Sequence, residues 1–197
     1  MSSTSRMKIS DTGYWDAETA CKYHTTSVGL AKWIASFLKE EKTTQLYDFG
    51  CGAGGYLRHL ELEGFSNLVG FEGAPPIPRE FSDVRQQDLT RPFNPREGRG
   101  NVICLEVGEH IPKQFENEFL DNITRSCSGW LIMSWAVRGQ SGDGHVNCLD
   151  NYEVIYKVES RGFNINPIAT RDARQTVDDS LFWLRGTVLV FDRRGVT

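Results

Sequence analysis

Apolar residues follow two alternating patterns along the chain, one with helical spacing and one with the short runs typical of buried strands. The helical spacing is clearest at residues 26–41, where Leu30 and Ile34 share a face and Ser27 is placed to cap the first turn. Further helices are predicted at 56–64, 115–123 and 152–160. Strands are predicted at 45–49, 68–71, 84, 101–105, 130–135, 164–168 and 187–191. Because strands alternate with helices, we expect an α/β fold with a parallel-type sheet covered by helices on both faces.

The first predicted strand runs directly into a glycine-rich loop with the sequence Asp48-Phe-Gly-Cys-Gly-Ala-Gly-Gly55. Glycine lets the backbone turn tightly and approach a ligand, and the following helix offers exposed N–H groups and a positive dipole end. Open α/β sheets bind ligands at this carboxyl edge. The spacing of Gly50, Gly52 and Gly55 also satisfies the dinucleotide fingerprint. The loop alone therefore fits either a dinucleotide or S-adenosylmethionine.

Three acidic residues at the ends of successive strands narrow this choice. Asp48 stands two residues before the first glycine, where a carboxylate is awkward beside a pyrophosphate but suits a ligand with ammonium and sulfonium charges. Glu72 ends the second strand and can accept both hydroxyls of a ribose, a role that NAD enzymes share. Asp88 follows the third strand, where it can accept from an adenine amino group or cap the next helix.

These segments resemble the motifs of class I S-adenosylmethionine-dependent methyltransferases, in particular the ubiquinone-biosynthesis type. Residues 48–54 match the first motif, and Glu72, 87–89 and 105–112 match the later motifs in order. The resemblance covers residues 46–136 and implies a doubly wound, mostly parallel seven-stranded sheet with an antiparallel last strand, in a three-layer α/β/α sandwich. It implies S-adenosylmethionine as cofactor, held by Asp48, Gly50, Cys51, Gly52, Gly54, Glu72, Asp88, Leu89 and Glu106.

The segment Glu106-Val-Gly-Glu109-His110 follows the fourth strand, and residues three and four apart converge if it turns helically. Similar Glu-x-x-Glu-His segments occur in the ubiquinone-type enzymes and in small-RNA terminal 2′-O-methyltransferases. The second resemblance implies a Mg²⁺ or Mn²⁺ site with ligands from Glu106, Glu109 and His110. His145 is a candidate for a further ligand or a general base, at a place where this sequence departs from the RNA enzymes. The alternative is that Glu109 caps a helix, His110 packs, and no metal binds. His145, His110 and Glu109 are also the candidate catalytic residues, because an acceptor must be aligned and deprotonated.

Residues 1–44 are expected to form a helical lid or cap, and residues 45–197 the cofactor-binding part of a single domain. The rings that precede the first helix either cover the cofactor, as this fold implies, or pack in the core. They belong to Tyr14, Trp15, Tyr23 and His24. Residues 139–144 form a glycine-rich loop after the fifth strand, which predicts a segment that a ligand approaches closely. Phe182 and Trp183 are expected to cover the sheet.

Composition limits the partners of the chain. A formal net charge of -4 over 197 residues disfavours, without excluding, a nucleic-acid partner, which needs clustered cations. Five scattered cysteines without a Cys-x-x-Cys pair favour a reducing compartment, and we expect a cytoplasmic protein. No apolar run is long enough to span a membrane. Nothing in the sequence predicts the oligomeric state.

The sequence therefore favours an enzyme that transfers a methyl group from S-adenosylmethionine to an oxygen or nitrogen of a small molecule by in-line displacement. The compact size leaves little room for a separate macromolecule-binding domain. Three alternatives stay open. They are an RNA or protein methyltransferase, an NAD-dependent reductase, for which no Tyr-x-x-x-Lys pair is present, and a cofactor-binding subunit without activity.

Overall fold

A seven-stranded β-sheet forms the centre of the structure, a computed structural model that describes residues 9–17, 19–20, 24–75 and 78–193. The strands are β1 Leu46–Phe49, β2 Leu68–Glu72, β3 Val84–Gln86, β4 Gly100–Cys104, β5 Cys127–Met133, β6 Phe163–Ile165 and β7 Leu189–Arg193. They lie in the order β3-β2-β1-β4-β5-β7-β6. Strands β1 to β5 pair in parallel, and β7 is antiparallel to both β5 and β6. The predicted mostly parallel sheet with an antiparallel last strand is confirmed.

Helices cover both faces of this sheet. They are α1 Val28–Phe37, α2 Gly55–Leu62, α3 Glu116–Ser126, α4 Asn151–Glu159, α5 Pro167–Gln175 and α6 Leu184–Thr187. Neighbouring strand residues point to opposite faces, so Ile132 packs with α1, α2 and α5 while Leu131 packs with α3 and α4. The result is the predicted three-layer sandwich with one apolar core on each face. Within the described part of the chain, no helix is both long and apolar enough to cross a bilayer.

The start of α1 is fixed by a cap that also anchors a distant segment. The Ser27 hydroxyl accepts from the Leu30 N–H, as predicted, and donates to the carboxylate of Asp178 at 2.8 Å. Asp178 also accepts from the Gly29 N–H at 3.1 Å. Since Asp178 precedes a 3₁₀ turn at Asp179–Leu181, these bonds hold the segment before α6 beside the beginning of α1.

The C-terminal third differs from the sequence prediction. The strand expected at 164–168 ends at Ile165, and the helix α5, which was not predicted, begins at Pro167. Asn166 caps this helix by accepting from the Ala169 N–H at 3.0 Å. Proline at the first helical position has the backbone angle that a helix needs. The cap and the proline together outweigh the strand-like alternation of apolar and polar residues that precedes them.

Candidate functional site

A cavity of about 1120 Å³ opens at the carboxyl edge of the parallel strands. Its wall comes from the loops after β1, β2, β3, β4 and β5, from the N-terminal segment, and from residues 180–184. Among the predicted site residues, the wall includes Asp48, Gly50, Cys51, Glu72, Asp88, Leu89, Glu106, His110 and His145. Gly52, Gly54 and Glu109 lie behind this wall. Residues scattered over almost a hundred positions of the sequence therefore meet at one edge.

The glycine loop adopts backbone angles that side chains disfavour. Gly50, Gly52 and Gly54 have φ values of 78°, 56° and 89°, in the left-handed region. A Cβ at Gly50 would lie 2.3 Å from a Val107 methyl, and one at Gly52 would lie 2.5 Å from the His24 ring. The loop is therefore both left-handed and closely covered, which explains why glycine is required at these positions.

Asp48 places a carboxyl group without a hydrogen-bonding partner beside this loop. The residue is 2% exposed, and its Oδ2 has no hydrogen-bond partner among the described residues. Burial, and to a lesser degree the charge of Glu72, raises the pKa of Asp48 to about 8. A bound cation would favour the ionised carboxylate, so this position is prepared for a positively charged ligand.

Glu72 connects the end of β2 to the glycine loop. One carboxylate oxygen accepts from the Gly52 N–H at 2.9 Å, and the other accepts from the Ala74 N–H at 2.8 Å. Each carboxylate oxygen has a second lone pair, so Glu72 can accept further bonds from a ligand in the cavity that it lines. Its predicted contact with ribose hydroxyls stays a prediction.

Asp88 and Leu89 line the same cavity beyond β3. One oxygen of Asp88 accepts from both the N–H and the hydroxyl of Thr90, at 2.9 and 2.7 Å. This is a local turn and not the helix cap that the sequence left open, because no helix begins between Asp88 and β4. The second oxygen lies 4.0 Å from the exposed guanidinium of Arg91. Binding of an adenine amino group by Asp88 remains a prediction.

Glu106 occupies a strained position directly after β4. Its φ of 57° is the only positive value at a non-glycine residue in the described part of the chain. The Ser134 hydroxyl donates to its carboxylate and accepts from its backbone N–H, both at 2.7 Å. Burial raises the pKa of Glu106, whereas hydrogen bonds from Ser134 and Trp183 lower it. Strain of this kind is retained where surrounding contacts enforce it, often at functional sites.

Glu109, His110 and His145 form a compact group of possible metal ligands. One ligand atom from each lies within 4.8 Å of the others, and Glu106 stands outside this group among the described residues. Glu109 is completely buried, and neither carboxylate oxygen has a hydrogen-bond partner in the described structure. Burial and the nearby Glu106 raise the pKa of Glu109 well above its usual range. A carboxyl group so placed is neutral unless a cation accompanies it.

The two imidazoles of this group are held by backbone carbonyls. Nδ1 of His110 lies 3.2 Å from the Gly144 carbonyl oxygen, and Nδ1 of His145 lies 3.3 Å from that of Gln140. Because a carbonyl oxygen only accepts, each Nδ1 carries the proton and each Nε2 keeps its lone pair. Burial, reinforced by His145, lowers the pKa of His110 to about 4. Two neutral imidazoles and one carboxyl group are donors that suit a divalent transition metal such as Mn²⁺ better than Mg²⁺, which prefers oxygen ligands.

Rings from the N-terminal segment close one side of the cavity. Trp15 stacks on His24 with centroids 5.4 Å apart, and its edge meets His110 at 5.2 Å. Tyr14 also lines the cavity, whereas Tyr23 lies outside the described residues. The division into a lid over residues 1–44 and a domain over residues 45–197 stays a prediction, since α1 packs in the same core as α2 and α5.

Two aromatic residues that were expected only to cover the sheet belong to this cavity. Phe182 and Trp183 line it, and the Trp183 side chain is close enough to Glu106 to lower the pKa of that carboxyl. They reach the site because the Ser27–Asp178 contact brings the segment before α6 to the carboxyl edge. No motif in the sequence signals this long-range pairing. The position of Phe182 and Trp183 depends on this contact and on the packing of α1 against α5, which are both distant in sequence.

The sequence matches no family model and none of the curated proteins with which it was compared. Solved structures are similar in fold. The magnesium protoporphyrin IX methyltransferase of Synechocystis PCC 6803, with bound S-adenosylhomocysteine, has a TM-score of 0.60 and 15% identity, over 89% of this chain and 92% of that one. A sugar N-methyltransferase of Streptoalloteichus sp ATCC 53650 has a TM-score of 0.63 and 15% identity, over 85% and 87%.

A [4+2]-cyclase is similar to a comparable degree, with a TM-score of 0.59 and 13% identity over 83% of this chain and 79% of that one. The chain thus has the fold of the class I S-adenosylmethionine-dependent methyltransferases. Since a cyclase shares that fold, the reaction has to be argued from the site.

Proposed function

We propose that this protein binds S-adenosylmethionine at the edge formed by Asp48 and Glu72 and transfers its methyl group to an oxygen or nitrogen of a small molecule. The observation that carries the proposal is the buried carboxyl group of Asp48 beside the left-handed glycine loop, since its Oδ2 has no hydrogen-bonding partner among the described residues. A sulfonium or ammonium charge would compensate this group. A pyrophosphate placed there would raise the pKa of this carboxyl further and would supply no compensating positive charge, which favours S-adenosylmethionine over NAD.

Methyl transfer needs an aligned nucleophile and a group that accepts its proton. The nucleophile attacks the methyl carbon, the carbon–sulfur bond breaks with its electron pair moving to sulfur, and the nucleophile releases one proton. The Nε2 lone pairs of His110 and His145 are available for that proton, since each Nδ1 already donates to a carbonyl. His110 is the weaker base, because burial and the neighbouring His145 lower the pKa of His110 to about 4. His145 is therefore the stronger candidate.

Replacing His145 by alanine is expected to lower turnover at least about tenfold while leaving the affinity for S-adenosylmethionine nearly unchanged. Transfer of labelled methyl groups into fractionated cell extract measures turnover, and calorimetry measures affinity. His59→Ala is the matched control, since His59 lies on α2 outside the cavity wall. Equal losses of turnover and affinity would remove His145 from the acceptor side. No labelled product with intact cofactor binding would favour a subunit without activity.

The group Glu109, His110 and His145 supports a second candidate, a metal-assisted methyltransferase of the terminal 2′-O type that acts on RNA. These residues would hold Mg²⁺ or Mn²⁺, and such a cation would supply positive charge that orients a pair of hydroxyls and lowers their pKa. The composition of the wall argues against this candidate, because no described residue lining the cavity is Lys or Arg. RNA binding depends on such cations.

Titration with Mn²⁺, followed by electron paramagnetic resonance, tests the metal site directly. If the site exists, Mn²⁺ binds with release of a proton, because it replaces the proton on the buried Glu109. Glu109→Gln is expected to abolish binding while preserving the fold, since glutamine resembles the protonated acid. Glu118→Gln on α3, outside this group of ligands, is the control. Binding that survives Glu109→Gln, or no binding by the wild-type protein, would exclude this site.

The cytoplasmic location remains a proposal from cysteine usage. The four cysteines in the described part of the chain are free, as that proposal requires. The oligomeric state is not part of the proposal.

A further inference from the structure

The charged groups along the cavity wall are of one sign. Carboxyl groups line it at Asp48, Glu72, Glu80, Asp88, Glu106 and Asp143, and no Lys or Arg is among the described lining residues. Burial raises the pKa of Asp48 and of Glu106, so these two contribute less negative charge. Asp88 has Arg91 at 4.0 Å. Behind the wall, Arg79 donates to the Gly52 carbonyl at 3.5 Å and offsets the charge of the neighbouring Glu80. Glu72 and Asp143 still leave the wall negative.

The cofactor cannot balance all of this charge. S-adenosylmethionine carries a sulfonium, an ammonium and one carboxylate, and its nucleoside end is assigned to Glu72. Asp143 belongs instead to the loop after β5, next to the segment 139–142 that also lines the cavity. An acceptor that enters beside Asp143 meets an exposed carboxylate. Like charges repel across such a mouth, and opposite charges attract.

Aromatic rings supply much of the rest of the wall, with Trp15 beside Gly144 and Tyr14 against Gly73. Tyr14, Trp15, Phe182 and Trp183 all line the cavity. Phe182 is 65% exposed and Tyr14 is 37% exposed, so ring surface is open to a ligand. Flat apolar molecules pack on such rings, and a cation over the face of an indole or phenol is attracted to its electrons.

We propose that the acceptor is a flat, mainly apolar amine without phosphate or carboxylate groups, recognised by the rings of the wall and by Asp143. This inference rests on the proposed function and names its substrate class.

The reaction balances without another reactant. The amine binds as an ammonium and loses one proton to Nε2 of His145, the proton acceptor proposed above. Its nitrogen lone pair then attacks the methyl carbon of the sulfonium, the carbon–sulfur bond breaks, and its electron pair returns to sulfur. The products are S-adenosylhomocysteine and an N-methylated ammonium.

Three probes with the same ring and different charge test the inference on the full chain saturated with S-adenosylhomocysteine. The first is the cation tryptamine, the second is the neutral indole-3-ethanol, and the third is the anion indole-3-acetate. Nuclear magnetic resonance of the indole N–H groups of Trp15 and Trp183 follows their binding. We expect tryptamine to bind at least about tenfold more tightly than indole-3-acetate.

A variant that removes the charge of Asp143 tests whether this residue causes the preference for the cationic probe. Asp143→Asn is expected to weaken tryptamine binding about threefold and to leave indole-3-ethanol unaffected. Asp172→Asn, a surface change on α5 away from the cavity, should change neither. If the variant weakens both probes equally, Asp143 acts through structure and its assignment fails.

The possible failures are distinguishable. If S-adenosylhomocysteine does not bind in the first step, the proposed function fails. If it binds and indole-3-acetate binds as tightly as tryptamine or more tightly, only the assignment of an amine fails. Failure of all three probes to shift either tryptophan also overturns this assignment.

Discussion

Asp48→Asn is expected to weaken binding of S-adenosylmethionine more than about tenfold, equivalent to 1.4 kcal/mol or more, and to raise the melting temperature of the ligand-free protein. Both effects have one cause. The carboxyl group of Asp48 is buried, and its Oδ2 lacks a partner in the described structure, so the free protein gains when this group is made neutral. The cationic ligand loses the charge that would attract it.

The contribution of Asp48 to the free energy of unfolding depends on pH, and its direction follows from the pKa of the carboxyl. The pKa of Asp48 is about 8 in the folded chain, above its value of roughly 4 in an unfolded chain. The folded state therefore holds this proton more tightly, and the contribution to stability is greatest below about pH 4. It is lost progressively as the pH rises through the window from about 4 to 8. In Asp48→Asn, the free energy of unfolding no longer decreases with pH for this reason.

Calorimetric affinity and thermal unfolding between pH 5 and 9 measure both effects, with the surface variant Asp172→Asn as control. A variant that binds S-adenosylmethionine as well as the wild-type protein would show that Asp48 does not contact the cofactor. If Asp48→Asn were less stable than the wild-type protein at pH 8, the Asp48 carboxyl would not be buried without a compensating partner.

Glu72→Ala is expected to weaken cofactor binding more than about tenfold and, unlike Asp48→Asn, to destabilise the free protein. Its two oxygens accept from the N–H groups of Gly52 and Ala74, which are left without these bonds after the substitution. Orphaned N–H groups at this depth correspond to a loss of about 2 kcal/mol or more in the free energy of unfolding. The glycine loop also loses its tie to β2.

Urea unfolding and calorimetry measure the two losses, and Glu63→Ala at the exposed end of α2 is the matched control. A loss of stability with unchanged affinity would limit Glu72 to a structural role in the loop. Full stability and full affinity together would contradict the hydrogen bonds on which its assignment rests.

The parts of the site predicted from the sequence are those with local signals. The run from β1 through Gly50 into α2 combines a strand, glycines and a helix start within a few residues, and Glu72 follows at the end of the next strand. Parallel strands bring such ends to one edge of the sheet. The sheet order and the antiparallel β7 agree with the resemblance for the same reason.

The parts that sequence reasoning missed depend on distant contacts. Phe182 and Trp183 join the cavity because Ser27 and Asp178, far apart in the chain, share a hydrogen bond. The positive φ of Glu106 is imposed by Ser134 and by the surrounding packing, since no glycine marks the position. Helix α5 was missed because its cap and proline follow an alternation of apolar and polar residues that is typical of a strand.

Isothermal titration of the purified chain with S-adenosylhomocysteine and, separately, with NAD tests the central claim most directly. The arrangement of Asp48, the left-handed glycine loop and Glu72 predicts saturable binding of S-adenosylhomocysteine, at one site per chain, and no measurable binding of NAD. Saturable binding of NAD without binding of S-adenosylhomocysteine would contradict the account.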